Sequence, residues 1–106
     1  MIRFGILQIK DIENTDYAFR GYDPKKFKIE DYELRYEGEF EALEDKSDLE
    51  ISEVIFYMFN VRIPEDFRGH SMSMSDLVLI DRDGSQRLYY CDICGFERLR
   101  GVTYEA

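Results

Sequence analysis

Apolar and polar positions alternate along much of this chain, and the period of the pattern changes to that of a helix and back. Over residues 2–9, Ile2, Phe4 and Ile6 fall on one face and Leu7 and Ile9 on the other. A strand apolar on both faces belongs inside a sheet. Further on, Tyr32, Leu34, Tyr36, Gly38 and Phe40 alternate with Glu33, Arg35, Glu37, Glu39 and Glu41. Strict alternation of this kind predicts a half-buried strand, with its apolar residues in the core and four carboxylates and one arginine along the other face.

The period then becomes helical. Ser47 is a good N-cap, and Glu50 three residues later completes a capping box. Asp48, Glu50 and Glu53 suit the positive end of a helix dipole. Ile51, Val54, Ile55, Met58 and Phe59 follow at the spacing of one helix face, and Pro64 ends the helix by about Arg62. A short apolar strand is predicted over residues 76–80. Residues 81–85 then make a hairpin turn around Asp83-Gly84, and a returning strand covers residues 87–93. Gly95-Phe96 reads as a bulge or bend.

The remaining segments are loops. Residues 11–28 carry the turn signals Asn14-Thr15-Asp16, Gly21 and Asp23-Pro24, with Tyr17, Phe19 and Tyr22 expected to anchor the loop to the core. Residues 64–73 form a second loop, and the tail from about Gly101 is expected to be loose. The sum is a single α+β domain over residues 1–106. It has a small, mostly antiparallel sheet of about four strands, packed by one main helix.

Composition narrows the class. Apolar residues make up 44% of the 106 residues and aromatics 15%, enough for one ordinary core. No apolar run is long enough to span a bilayer as a helix, and residues 1–6 lack the apolar stretch of a signal peptide. Both observations point to the cytoplasm, where two cysteines do not make a disulfide framework.

Charge changes the picture more. The net charge is −9 and the pI about 4.6. A balance this acidic argues against direct binding to nucleic acid or to anionic membranes. All of it lies in one segment: residues 30–53 hold 11 acids and 2 bases, whereas the rest of the chain is balanced. Alternate residues on a strand stand roughly 6.5–7 Å apart, a spacing comparable to that of neighbouring phosphates. Glu33, Glu37, Glu39 and Glu41, continued by Glu44 and Asp45, are therefore the candidate partner-binding residues, able to occupy a site built for a phosphate backbone. The alternative is a solvated strand face whose charges keep the protein soluble and discourage edge pairing.

Other motifs carry less. Cys91-Asp92-Ile93-Cys94 has redox or metal spacing, but no second pair completes a zinc site, and the pair closes a strand instead of opening a helix. Buried structural cysteines are the better reading. His70, the only histidine, lies near Ser71, Ser73, Ser75 and Asp76, yet residues this close in sequence seldom converge as a triad. No calcium loop or glycine-rich phosphate loop is present. Tyr17, Phe19, Tyr22, Phe27 and Phe67 are better read as loop anchors than as an interface, and Arg62, Arg68, Arg82 and Arg87 make only a weak basic patch. The residues thus point to no catalytic residue, metal or cofactor.

Several stretches together carry a resemblance. They are Phe19-Arg20-Gly21-Tyr22, residues 32–38, Phe59-Asn60, the run from Pro64 to Asp76, and Tyr89-Tyr90-Cys91-Asp92 with Gly95-Phe96. They resemble the YodL-like domain found in proteins of mobile elements of Gram-positive bacteria, over nearly the whole chain. The resemblance implies a fold and a genetic context, and no catalytic residue. A short acidic copy is similar to the small anti-CRISPR proteins such elements carry against type II systems. That likeness implies a non-enzymatic inhibitor of a Cas9-type nuclease, whose guide or DNA channel is lined with Lys and Arg. The other function it leaves open is an accessory interaction module in conjugation or element regulation. An RNA-cutting enzyme is a third, disfavoured by the missing nucleophile and base.

Overall fold

The computed structural model describes residues 1–41 and 43–105; Ala106, the last residue of the expected loose tail, lies outside the described residues. Among the described residues, five strands form one antiparallel sheet: β1 (Ile2–Ile9), β2 (Tyr32–Phe40), β3 (Leu77–Arg82), β4 (Ser85–Asp92) and β5 (Gly95–Leu99), in the order β2-β1-β3-β4-β5. One helix, α1 (Asp48–Val61), packs on one face.

Four strands were expected, and β5 is the difference. Ile93-Cys94 forms the turn, and Gly95, at φ 115, opens a new strand instead of bending an old one. Ile93 and Cys94 are not turn formers, so nothing local announced a hairpin. The Asp83-Gly84 turn does follow its residues. Both sit at positive φ, the conformation a two-residue hairpin turn demands.

β1 is interior, as its two-faced apolar pattern requires. Ile2, Phe4 and Ile6 join Val78, Ile80 and Tyr89 beneath α1. Leu7 and Ile9 join Leu77, Leu88 and Tyr90 on the opposite face, which is covered by the long loop between β1 and β2. Tyrosine hydroxyls pin that loop. Tyr17 donates to Asp31 Oδ2 at 2.7 Å, and Tyr90 donates to the Arg20 carbonyl at 2.9 Å. Burial raises both phenols above their ordinary range. Phe19 does not anchor the loop through its ring, which is 45% exposed; its backbone N–H does so, donating to Ser75 Oγ at 2.9 Å. The tail after Gly101, expected to be loose, is tied down: Tyr104 and Gln86 exchange two hydrogen bonds, and Val102 and Tyr104 pack on this face.

The helix forms where expected. Ser47 Oγ accepts from the Glu50 N–H at 3.1 Å and Glu50 Oε1 from the Ser47 N–H at 3.0 Å, the reciprocal capping box. Its buried face is rotated from the expected one. Ile51, Ser52, Ile55 and Phe59 are buried, and Val54 is exposed. Ser52 takes a core position because its hydroxyl donates to the Asp48 carbonyl at 2.8 Å, which satisfies the buried group within the helix. Phe59 sits edge-on to Tyr36 and Phe67, with ring centroids 5.0 and 4.9 Å away.

Candidate functional site

The acidic strand is an outer strand of the sheet, paired among the described residues only with β1. Its register is broken once: Ile6 pairs with Tyr36 but Leu7 pairs with Leu34, so Arg35 is an extra residue. Directly paired residues share a face, and successive residues of β1 alternate. Tyr32 and Leu34 therefore lie on the loop-covered face, and Tyr36, Gly38 and Phe40 lie under α1. The bulge lets one alternating sequence serve both cores.

It also corrects the expected row of carboxylates. Glu33, paired with Gln8, falls on the helix side, where its Oε1 lies 2.8 Å from an Arg35 guanidinium nitrogen. Glu37 and Glu39, paired with Gly5 and Arg3, point to the other side. A single face with four carboxylates and an arginine does not exist. Glu37 and Glu39 stand exposed beside a groove of about 470 Å³, lined also by Arg3, Asp81 and Tyr104. Glu39 meets Arg3 at 3.6 Å. Beyond β2, Glu41, Glu44 and Asp45 are exposed; Glu44 pairs with the Met1 amino group at 3.2 Å. Its carboxyl is held below the usual range, first by a backbone hydrogen bond and then by that amino group.

One acid of the segment is used structurally. Asp48, at the start of α1, accepts from Arg82 Nε at 2.8 Å and from the Tyr89 hydroxyl at 2.6 Å, with Arg87 Nε at 3.4 Å. Burial acts to raise its pKa, but Tyr89 and the two arginines outweigh it, and the carboxyl is held below its ordinary value. Arg82 also donates to the carbonyls of Glu44 and Lys46. Two of the four arginines of the weak basic patch are thereby engaged, and Arg62 and Arg68 remain exposed.

The run 64–76 and the segment 19–22 meet at one end of the sheet. Gln8, fully buried in β1, donates from Nε2 to the His70 carbonyl at 2.8 Å and to Asp76 Oδ2 at 3.0 Å. Asp76 Oδ2 also accepts from the Ser73 N–H at 3.0 Å, and His70 Nε2 lies 3.9 Å from Oδ1. Burial pushes the Asp76 carboxyl up to about 6, against the pull of Ser73, His70, Gln8 and Arg35. Gln8 Oε1, Arg35 Nε and Ser73 Oγ are buried without hydrogen-bond partners among the described residues. Phe19 and Ser75 both take positive φ, 63° and 78°, and are joined by their hydrogen bond. His70 contacts no serine hydroxyl among the described residues. The run thus holds a loop against β1 and the Phe19 loop. Sequence reasoning passed over Gln8, though an uncharged polar residue set between Leu7 and Ile9 in a strand apolar on both faces is a readable signal.

Of the cysteines, Cys91 is buried, its thiol pushed up to about 12 by burial, but Cys94 is exposed at the β4–β5 turn, so the expectation of two buried cysteines fails there. Among the described residues, no three His, Cys, Asp or Glu side chains are placed to hold a metal ion. No helix among them is long and apolar enough to cross a membrane. A family model described as the YodL-like domain matches residues 3–101. No curated protein and no solved structure matches the chain.

Proposed function

We propose, from the premise that the chain belongs to the YodL-like domain family, that it is a non-catalytic binding protein whose acidic edge docks on a basic protein surface. One observation carries this reading. Glu37 and Glu39 project from an outer strand into solvent, with Arg3 the one base lining their groove among the described residues, and Glu41, Glu44 and Asp45 extend the charge beyond the strand end. Glu33 is not part of this surface, because the bulge turns it to the other side.

A surface shaped by bound nucleic acid suits such an edge. Carboxylates two residues apart repeat at about the spacing of phosphates. A channel lined with Lys and Arg would draw the edge in by long-range attraction that weakens with salt. The partner we assign is a Cas9-type nuclease at its guide or DNA channel, with the protein acting in the cytoplasm as a mobile-element inhibitor and engaging no nucleic acid, membrane or cofactor itself.

The test is DNA cleavage by the nuclease with purified protein added before or after guide RNA. Inhibition is expected when the protein precedes the guide. The combined Glu37→Lys, Glu39→Lys and Glu41→Lys variant is expected to lose it while keeping its circular dichroism spectrum. Full inhibition by that variant would overturn the docking surface. No inhibition across several such nucleases would overturn the partner and leave a protein encoded by the same element as the occupant of the edge.

A further inference from the structure

The backbone of β2 offers more than its side chains do. Resting on the docking reading above, we propose that the open half of β2, Tyr36–Phe40, takes up an extended partner segment as a sixth strand. In that segment Lys or Arg residues alternate with apolar ones.

The register shows which backbone groups are free. On an interior antiparallel strand, the N–H and C=O of one residue point to the same side, and successive residues alternate. The Lys10 N–H, just past β1, reaches across to the Asp31 carbonyl at 2.9 Å, so even-numbered residues of β1 bond towards β2. Their partners Tyr36, Gly38 and Phe40 are thus bonded inwards, and the backbone groups of Glu37 and Glu39 face outwards. Before the bulge, the outward Leu34 N–H already has a partner, the Tyr104 hydroxyl at 3.3 Å. From Tyr36 onwards, no backbone hydrogen bond from outside β1 reaches the strand among the described residues. The tail therefore closes one half of this edge and leaves the other open.

The side chains select what can pair there. Directly opposite residues on antiparallel strands share a face. An added strand would place alternate residues beside Glu37 and Glu39, at the groove that Asp81 also lines. Its other residues would lie beside Tyr36 and Phe40, whose half-buried rings rest on Phe4 at centroid distances of 6.0 and 4.8 Å. Basic residues fit the first set and apolar residues the second. A second copy of this chain does not fit. Antiparallel self-pairing centred on Gly38 would set Glu37 against Glu39 of the other copy, and like charges directly opposite are unfavourable. The edge is closed to its own kind and open to a basic strand.

The probe is a ten-residue peptide of alternating Lys and Val, compared with a peptide of equal charge in which two Val are replaced by Pro. The measurement is amide hydrogen exchange of the full chain, residue by residue. The alternating peptide is expected to slow exchange of the Glu37 and Glu39 amides by tenfold or more, and the proline-containing one to leave them unchanged. Glu39→Pro removes one outward donor without touching the β1 ladder, and should abolish the protection at Glu37; Glu39→Gln should retain it. Equal binding of both peptides without amide protection would overturn strand addition and leave charge docking standing. No binding of the alternating peptide would also overturn it. Protection together with full nuclease inhibition by the charge-reversed variant would uphold strand addition and overturn the docking reading alone.

Discussion

Asp48 and Glu39 come from the same acidic segment and have opposite surroundings. The Asp48 side chain is 12% exposed and is held by Arg82, Arg87 and Tyr89. Glu39 is 46% exposed, and its one basic neighbour, Arg3 at 3.6 Å, is itself 71% exposed. An exposed pair of this kind contributes little, because water screens it and two long side chains must be ordered to make it. Asp48 ties the start of α1 to β3 and β4, whereas Glu39 ties nothing. Density of charge along the sequence does not separate a carboxylate built into the fold from one left open to a partner. Partners and burial do.

The sharpest way to break this contrast is to remove Asp48. Asp48→Ala removes the carboxylate that Arg82 Nε, Arg87 and the Tyr89 hydroxyl share, and among the described residues Arg87 Nη1 already lacks an acceptor. The expected loss is about 3 kcal/mol, which for a domain of this size lowers the melting temperature by roughly 10–20 °C. Thermal unfolding followed by circular dichroism measures it. A loss below about 1 kcal/mol, typical of exposed pairs, would place Asp48 with the surface acids.

Asp76 sharpens the contrast from another side, since it is more deeply buried than Asp48 but, among the described residues, has no guanidinium at ion-pair distance. Its carboxyl is raised from 3.8 to about 6 by burial. The folded state then holds the proton more tightly than the unfolded chain. Stability from this group is complete below about pH 4, falls as pH rises to about 6 and stays lost above it, a change of about 3 kcal/mol. Asp48, with its lowered pKa, works in the reverse sense and loses its contribution as pH falls below the ordinary carboxylate range. Asp76→Asn should remove the fall between pH 4 and 6, so the stability difference between variant and parent should grow by that amount across the window. Urea unfolding at pH 4, 5, 6 and 7 reads it directly; a constant difference would mean that Asp76 is ionised at little cost in the fold.

The legible parts of this protein were those set by local rules. The capping box at Ser47 and Glu50, the end of α1 before Pro64, the Asp83-Gly84 turn and the two-faced pattern of β1 each depend on residues close in sequence. The α+β class followed from them. The acidic strand was legible as a strand but not in its register. The alternation runs unbroken through Arg35, and only pairing with β1 reveals the extra residue that moves Glu33 to the other face. Val54 has the right spacing for the core yet is exposed, because Ser52 satisfies its own hydroxyl within the helix and takes the inward place. β5 was hidden because Ile93 and Cys94 carry no turn chemistry. The Asp48 and Gln8 clusters join residues 34 to 68 positions apart, a separation that no local pattern encodes.

The smallest expected effect is also the one that bears most on function. Glu37→Gln with Glu39→Gln removes two exposed charges that hold no element in place. Surface substitutions of this kind change stability by no more than about 0.5 kcal/mol each. The sign should be slightly stabilising, since Glu37, Glu39 and Asp81 lie around one groove with Arg3 the one base lining it among the described residues. In 1 M salt the parent should gain a few tenths of a kcal/mol as that repulsion is screened, and the double variant should gain less. Chemical unfolding at low and high salt checks both points. A loss above about 1 kcal/mol would assign the two glutamates to the structure, as Asp48 is assigned. A small gain would mean that these charges persist on the strand at a slight cost to the fold, which is the condition expected of residues that serve a partner.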